Sequence, residues 1–182
     1  MDEQNFKYDN HPRESVSWYQ AVAYTRWLTA RFQAAELLPA GWEIRLPTEQ
    51  EWEASARYPD GRVFAWGNEY VSGYANINET SRHAGTHSLR QTTAVGIYPQ
   101  GRNPATDVHD LSGNVWEWTL SEWDAPEQAR LDGDRTRVLR GGSWYDNVLL
   151  ARAASRYADY PNYWYWLFGF RVCCAPIQSA DR

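Results

Sequence analysis

The chain has 182 residues and a formal net charge of −5, which fits one domain and argues against a non-specific nucleic-acid binder, because phosphate contacts need an excess of Lys and Arg. It contains 11 Trp and 12 Tyr although its mean hydropathy is −0.71, so aromatic rings are expected to supply much of the core and some of the surface. No apolar run is long enough to predict a membrane span, and residues 1–7 lack the apolar stretch of a signal peptide, so the default expectation is the cytoplasm.

Two helices are predicted in the first third of the chain. Ser17 and Gln20 form a capping-box pattern that predicts a helix over residues 17–33, and Thr48 and Glu51 repeat the pattern at the start of a second helix. The second helix is expected to end near Arg57, before the PDG turn at residues 59–61. Between the helices, residues 43–46 read as a short extended run.

After Gly61 the helical period disappears, and short aromatic segments alternate with turn residues, as expected for loop-rich β structure. Residues 78–93 read as a polar surface excursion in which His83 and His87 are solvated. Residues 122–137 read as a charged loop, and residues 169–173 as one closing strand.

The two cysteines, Cys173 and Cys174, are adjacent. Neighbours in a strand point to opposite faces, and a disulfide between them would be strained. We therefore expect two free thiols, and no Cys or His spacing indicates zinc.

Six motifs, spread in order from residue 16 to residue 171, carry a family resemblance. They are VSW at 16–18, RLPTE at 45–49 followed by EW at 51–52, WG at 66–67, LSGNVWEW at 111–118, RGGSW at 140–144 and GFR at 169–171. Together they resemble the formylglycine-generating-enzyme (sulfatase-modifying-factor) family. The resemblance implies a single α+β domain over residues 1–182 with a C-type-lectin-like fold, in which two helices flank a small twisted antiparallel sheet with long loops. It also implies that the family's usual N-terminal portion is missing.

The resemblance implies a structural calcium site. Its ligands would be the side chains of Asp110 and Glu117 and the carbonyls of Gly113 and Val115, an all-oxygen set that suits calcium. A second site would include Asn76 and Ile77, although its remaining ligands fall in a divergent loop.

An alternative interpretation of the first calcium site needs no metal. In it, Asp110 caps a turn, while Glu117 pairs with an arginine such as Arg140 or Arg171.

The family's oxidase uses a cysteine pair just after its Gly-Gly-Ser motif. The matching positions here fall near Asp146 and Ala151, which cannot form thiolates. The resemblance therefore predicts a protein that is not an enzyme. Two alternatives stay open: an enzyme with altered chemistry, for which Asp146 with Arg152 or Arg156 is the candidate cluster, and an accessory or carbohydrate-binding module.

Residues 145–168, here called the 145–168 segment, resemble the region rewritten in variable proteins of diversity-generating retroelements. Consecutive aromatics at 163–166 would project to both faces of a strand, so at least two should be exposed, although burial of the whole run in the core is the alternative. Exposed rings mixed with Asp, Asn and Ser are typical of an antibody-like binding surface. The predicted partner is an unknown protein or surface ligand, and replacing Trp164 and Trp166 with Ala is expected to leave stability nearly unchanged. The predicted ligand-binding residues are Tyr145, Asp146, Asn147, Leu149, Leu150, Ser155, Tyr157, Asp159, Tyr160, Tyr163, Trp164, Tyr165, Trp166 and Leu167.

Overall fold

The computed structural model describes residues 4–177, so the ends of the predicted domain, residues 1–3 and 178–182, lie outside the described residues. This part of the chain contains two α-helices and six strands, with 3-10 turns at Ser81–His83 and Pro99–Gly101. The elements are α1 (Trp18–Ala34), β1 (Trp42–Arg45), α2 (Glu49–Arg57), β2 (Trp116–Glu122), β3 (Arg137–Arg140), β4 (Arg156–Asp159), β5 (Phe168–Phe170) and β6 (Cys173–Pro176). The α+β class is confirmed. Within residues 4–177, no helix combines the length and apolar character needed to cross a membrane.

Both helices begin where the capping boxes predict. The Ser17 hydroxyl accepts a hydrogen bond from the Gln20 amide, and the Ser17 amide donates to the Gln20 side chain. Thr48 and Glu51 make the same reciprocal pair at α2. These bonds satisfy amide groups that would otherwise lack partners in the first helical turn, which fixes where each helix starts.

The strands form two sheets. β1 pairs antiparallel with β6, and the larger sheet has the order β4-β3-β2-β5. At one edge of this sheet, β5 pairs with β2 in parallel, with Trp116 opposite Phe168. The larger sheet is therefore mixed rather than wholly antiparallel.

The single closing strand predicted over residues 169–173 is wrong. It is two strands in different sheets, β5 and β6, separated by Arg171 and Val172. The pairing of β5 with β2 ends at Phe170. The next residue, Arg171, donates to Glu117 and to the carbonyls of His109 and Asp110.

The main core lies between α1 and the larger sheet. Trp18 and Trp118 are fully buried, and their indole N–H groups donate to the carbonyls of Thr119 and Val16 at 2.8 and 2.9 Å. Each ring therefore buries a large apolar area without leaving its polar nitrogen unpaired.

Arg140, at the start of the RGGSW motif, is also fully buried. It pairs with Glu49 and Glu53 of α2 and lies 5.1 Å from the Trp52 ring centroid. This ionic contact joins α2 to β3 immediately before the 145–168 segment.

Candidate ligand-binding site

The start of the 145–168 segment is fixed by a glycine turn. Gly142 has φ of 75°, and a Cβ atom there would lie 2.8 Å from the Leu150 carbonyl oxygen, so only glycine fits without displacing backbone. Two residues later, the Trp144 amide donates to the Asn114 carbonyl at 3.0 Å.

The end of the segment is fixed in the same way. The Trp116 amide donates to the Leu167 carbonyl at 2.8 Å, and β5 then continues beside β2. A Cβ atom on Gly169 would lie 2.7 Å from the Arg13 carbonyl oxygen, which explains the glycine of the GFR motif. Both ends are thus held by main-chain bonds to the same stretch, residues 114–116.

Between these ends the segment exposes a group of large aromatic side chains, here called the aromatic face. It consists of Tyr145, Tyr157, Tyr160, Tyr163, Trp164 and Tyr165, all exposed, and the partly buried Trp166. Three members of the run at 163–166 are therefore exposed, and burial of the whole run in the core is excluded.

Three tyrosines of the aromatic face converge on one buried ring. The centroids of Tyr157, Tyr163 and Tyr165 lie 5.9, 6.3 and 5.7 Å from that of Phe168. Phe168 belongs to β5, so these exposed rings rest on the sheet rather than on a free loop.

Leu167 corrects the sequence prediction. Its side chain is only 6% exposed and packs in the main core, so it presents almost no surface to a ligand. Trp166 and Leu167 form the turn that leads into β5, and the Leu167 side chain points inward there.

Three other predicted contact residues organise the loop that carries them. Asn147 accepts from the Leu149 amide at 2.9 Å, and Ser155 donates to the Leu149 carbonyl at 2.8 Å. Leu150, which was also predicted to contact a ligand, is 38% exposed and so is accessible to one.

Two carboxylates, Asp146 and Asp159, belong to the same segment. Asp146 accepts from the Ser143 amide and hydroxyl and from the Trp116 indole at 2.8 Å, yet burial dominates and raises its pKa. Asp159 accepts from the Tyr160 amide and from no other group in the described part of the chain, and burial raises its pKa as well. Within residues 4–177, neither carboxylate forms an ion pair that would stabilise its charged form.

A pocket of about 690 Å³ opens beside Tyr145. One wall comes from the 145–168 segment and its entry, namely Trp144, Tyr145, Asp146, Asn147 and Trp166. A second wall comes from the polar segment at residues 78–93 and consists of Asn78, Ser81, Ser88 and Arg90. The Asn78 amide donates to the Asp146 carbonyl at 2.9 Å, which brings the walls together.

The sequence did not predict that residues of the segment 78–93 form part of the pocket wall. Residues 78–93 were predicted only as solvated surface, because contacts across many residues leave no periodic pattern. The signal that could have found the wall is Glu79, an acidic residue in a polar loop that proves to be fully buried.

Glu79 organises the excursion. Its carboxylate accepts from the Tyr70 and Ser72 hydroxyls and from the amides of Gly73 and His87. Burial acts to raise its pKa, but these donors outweigh burial and hold the pKa below its ordinary value. One buried carboxylate thereby fixes the loop that carries the second wall.

At the first predicted calcium site, which stays a prediction, Arg171 contacts two of the residues proposed as ligands. Glu117 accepts from Arg171 at 2.5 and 2.7 Å and from the Trp52 indole at 2.6 Å. Asp110 accepts from the Gly96 amide, and its own carbonyl accepts from Arg171. A guanidinium therefore already supplies the positive charge among these oxygens, as in the alternative interpretation, while Gly113 and Val115 lie in the same turn.

At the second predicted calcium site, the Asn76 side-chain oxygen is buried without a hydrogen-bond donor. Its amide nitrogen donates to Gln91, Thr93 and Asn114, and Ile77 packs in a small core cluster. Nowhere in residues 4–177 do three or more His, Cys, Asp or Glu side chains gather in a metal-holding group. Calcium at this site stays a prediction.

The candidate catalytic cluster of the altered-enzyme alternative does not form. Asp146 bonds to Ser143 and Trp116, whereas Arg156 pairs with Glu49 at 2.6 Å and stacks on Trp123. Arg152 is exposed.

Comparisons with known proteins agree with the motifs. A family model described as the sulfatase-modifying factor enzyme 1-like domain matches residues 2–176. Mouse inactive C-alpha-formylglycine-generating enzyme 2 is 33% identical over 94% of this chain and 50% of the relative. The formylglycine-generating enzyme of Streptomyces coelicolor is 37% identical over 89% of this chain and 52% of the relative. The chain thus spans about half the length of these relatives.

Among solved structures, Treponema denticola variable protein 1 shares the fold, with a TM-score of 0.73 at 21% identity, over 96% of this chain and 75% of that one. A match across nearly the whole sequence and the order of the six motifs lead to one conclusion. The chain belongs to the family of the sulfatase-modifying factor enzyme 1-like domain.

Proposed function

We propose that this domain is a non-catalytic ligand-binding protein of the retroelement variable-protein type, built on a C-type-lectin-like frame. Its contact surface is the aromatic face together with the adjoining pocket. The observation that carries the proposal is a set of exposed rings on a segment whose two ends are held by main-chain bonds to residues 114–116.

The composition of this surface suits recognition. Tyr and Trp provide large contact areas and lose few rotatable bonds on binding, and such residues dominate the energetics of many interfaces. The rings are held by their contacts to Phe168 and Trp144, so little ordering is needed when a partner binds.

The surroundings of the pocket argue against the family's oxidation chemistry. The residues that line it include neither cysteine nor histidine, and Ala151, near one matching cysteine position, is buried against Ala75 and Ile77. Cys173 lies in the two-stranded sheet, where burial raises the pKa of its thiol to about 11, so it is protonated at neutral pH.

The retroelement origin is tested in the gene. Adenine-directed mutation of Asn codons yields Tyr, Asp, Ser, Leu or Phe, residue types that recur in the 145–168 segment. We expect a nearby copy of the 3′ end that differs only at adenines, beside a reverse transcriptase gene. A complete genome with neither feature would contradict this origin and leave the binding function to be tested alone.

The binding function is tested with a displayed random-peptide library selected on the wild-type domain. Peptides so obtained should lose binding to the double variant Tyr163→Ala and Tyr165→Ala, whose thermal midpoint should stay close to that of the wild type. Trp27→Ala, which removes an exposed ring from α1, is the matched control and should keep binding. Undiminished binding to the double variant would overturn the assignment of the surface.

A further inference from the structure

We propose that the aromatic face binds a positively charged side chain, an arginine or lysine of a protein partner, over the tyrosine cluster beside Asp159. This inference rests on the proposed function and deepens it by naming the chemistry of the partner. It is carried by the juxtaposition of converging tyrosine rings with carboxylates that form no ion pair within residues 4–177.

The ring geometry provides the first part of the argument. Tyr157, Tyr163 and Tyr165 all rest on Phe168, and the rings of Tyr163 and Tyr165 are nearly parallel, 25° apart, with centroids 6.5 Å apart. Aromatic faces carry partial negative charge, and a guanidinium or ammonium group placed over them is attracted. Several exposed rings in one place therefore favour a cation.

The carboxylates provide the second part. Tyr157 and Asp159 lie two residues apart in the edge strand β4, so their side chains point to the same side of the sheet. Asp146 accepts from the Trp116 indole at 2.8 Å, and the Trp116 ring centroid lies 5.5 Å from that of Tyr157, so this second acid also lies close to the tyrosine cluster. Burial and both carboxylates raise the pKa of Tyr157, in agreement with this arrangement. In the described part of the chain, no ion pair involves Asp146 or Asp159.

The arginines around the cluster are occupied elsewhere. Arg137, opposite Asp159 in the β3–β4 register, is fully buried, stacks over Trp18 and donates to the Leu120 and Asp132 carbonyls. Arg156 points to Glu49 and Trp123. Arg90 lines the same pocket as Tyr145, which assigns the cation to the Asp159 side of the aromatic face.

A polypeptide fits this surface better than a small amine does. The aromatic face comprises seven rings, among them Tyr145 at the pocket and Tyr160 just after β4, which is more than one small ion could contact at once. The buried Trp144 indole N–H, in the pocket wall, has no acceptor in residues 4–177, and a peptide carbonyl would supply one. The chain's net charge of −5 would also steer a basic segment toward it.

The test is a titration of the domain with blocked Gly-Arg-Gly, Gly-Glu-Gly and Gly-Leu-Gly tripeptides and with free guanidinium, followed through tryptophan indole N–H signals in NMR. Gly-Arg-Gly should shift the signals of Trp116 and Trp166, which contact Tyr157 and Tyr165, and leave Trp27 on α1 unchanged. The other peptides, and guanidinium at the same concentration, should produce smaller shifts.

Asp159→Asn should weaken Gly-Arg-Gly binding by about threefold to fivefold, the range expected for one screened charge. Glu36→Gln is the matched control. It removes the same charge just beyond the far end of α1, about 25 Å from the helix start at which Tyr19 bonds to Pro161. Its binding should equal that of the wild type.

Equal weakening by both variants would mean diffuse attraction to net charge and would overturn the inference. Tighter binding of Gly-Leu-Gly or Gly-Glu-Gly at Trp116 and Trp166 would also overturn it, while the proposed binding surface would stand. Stronger binding of free guanidinium than of Gly-Arg-Gly would assign the surface to small cations and not to a protein partner.

Discussion

Trp144 and Trp166 meet with ring centroids 4.9 Å apart, and this contact joins the residue before the 145–168 segment to one near its end. Trp144 is buried in the main core and Trp166 is partly buried against it, so the pair connects the core to the aromatic face. The two rings also line the pocket. Packing and recognition therefore share residues here, and substitutions can separate the two roles.

The two tryptophans of the run at 163–166 should respond differently to alanine. Trp166 packs against Trp144 and Tyr145, so Trp166→Ala is expected to lower the free energy of unfolding by about 2 kcal/mol. Trp164 is 45% exposed, and Trp164→Ala should cost less than about 0.5 kcal/mol. Urea unfolding measures both. The sequence expectation that both substitutions are neutral is thereby revised for Trp166, and equal effects would contradict the revision.

Gly142→Ala should be more destabilising than Gly133→Ala. Both glycines have positive φ, 75° and 82°, so each alanine carries a backbone strain of about 1 kcal/mol. A Cβ atom at Gly142 also meets the Leu150 carbonyl at 2.8 Å, whereas nothing lies within 4 Å at Gly133. We expect a total loss of about 3 kcal/mol or more for Gly142→Ala. Thermal unfolding of the two variants checks this, and matching midpoints would show that the close approach relaxes freely.

Glu79→Gln should destabilise the domain at neutral pH by about 2–3 kcal/mol, because an amide group would face hydroxyl and amide donors that now meet a carboxylate. The folded pKa of Glu79 is lowered, so its contribution is present above the unfolded pKa and is lost as pH falls through the folded pKa. The difference between variant and wild type should therefore shrink in acid. Unfolding curves at neutral and acidic pH measure it, and a difference independent of pH would exclude this role for the carboxylate.

Arg171→Met should cost about 3–5 kcal/mol, because it leaves the Glu117 carboxylate buried without its cation. In the wild type, adding calcium or EDTA should leave the thermal midpoint unchanged, since Arg171 already neutralises Glu117. A calcium-dependent rise in the wild-type midpoint would instead support the metal site that the family resemblance predicts.

Local signals in the sequence predicted local structure well. The boxes at Ser17 and Thr48 set the helix starts, because a cap is complete within four residues. The exposure of at least two rings in the run at 163–166 also followed from the sequence, since a strand or loop cannot bury consecutive large rings on one side, although the sequence did not specify which rings.

Features that depend on distant residues could not be predicted. Two features join stretches that are far apart in the chain: the parallel pairing of β2 with β5, and the pocket wall at Asn78. Neither leaves a recognisable pattern in a short stretch of sequence. Arg171 was one of two candidate partners for Glu117, and only the fold decides that Arg140 turns to Glu49 instead.

The main-chain attachment of the 145–168 segment has an evolutionary consequence. Every residue has a main-chain carbonyl, and every residue except proline has an amide that can donate. The bonds from Trp144 to Asn114 and from Trp116 to Leu167 therefore do not depend on which side chains the segment carries between them. We therefore expect substitutions at Tyr157 or Tyr163 to leave both main-chain bonds in place. Asp146 is different, because its carboxylate bonds to Ser143 and Trp116, so we expect substitutions there to be tolerated less well than at Tyr157 or Tyr163.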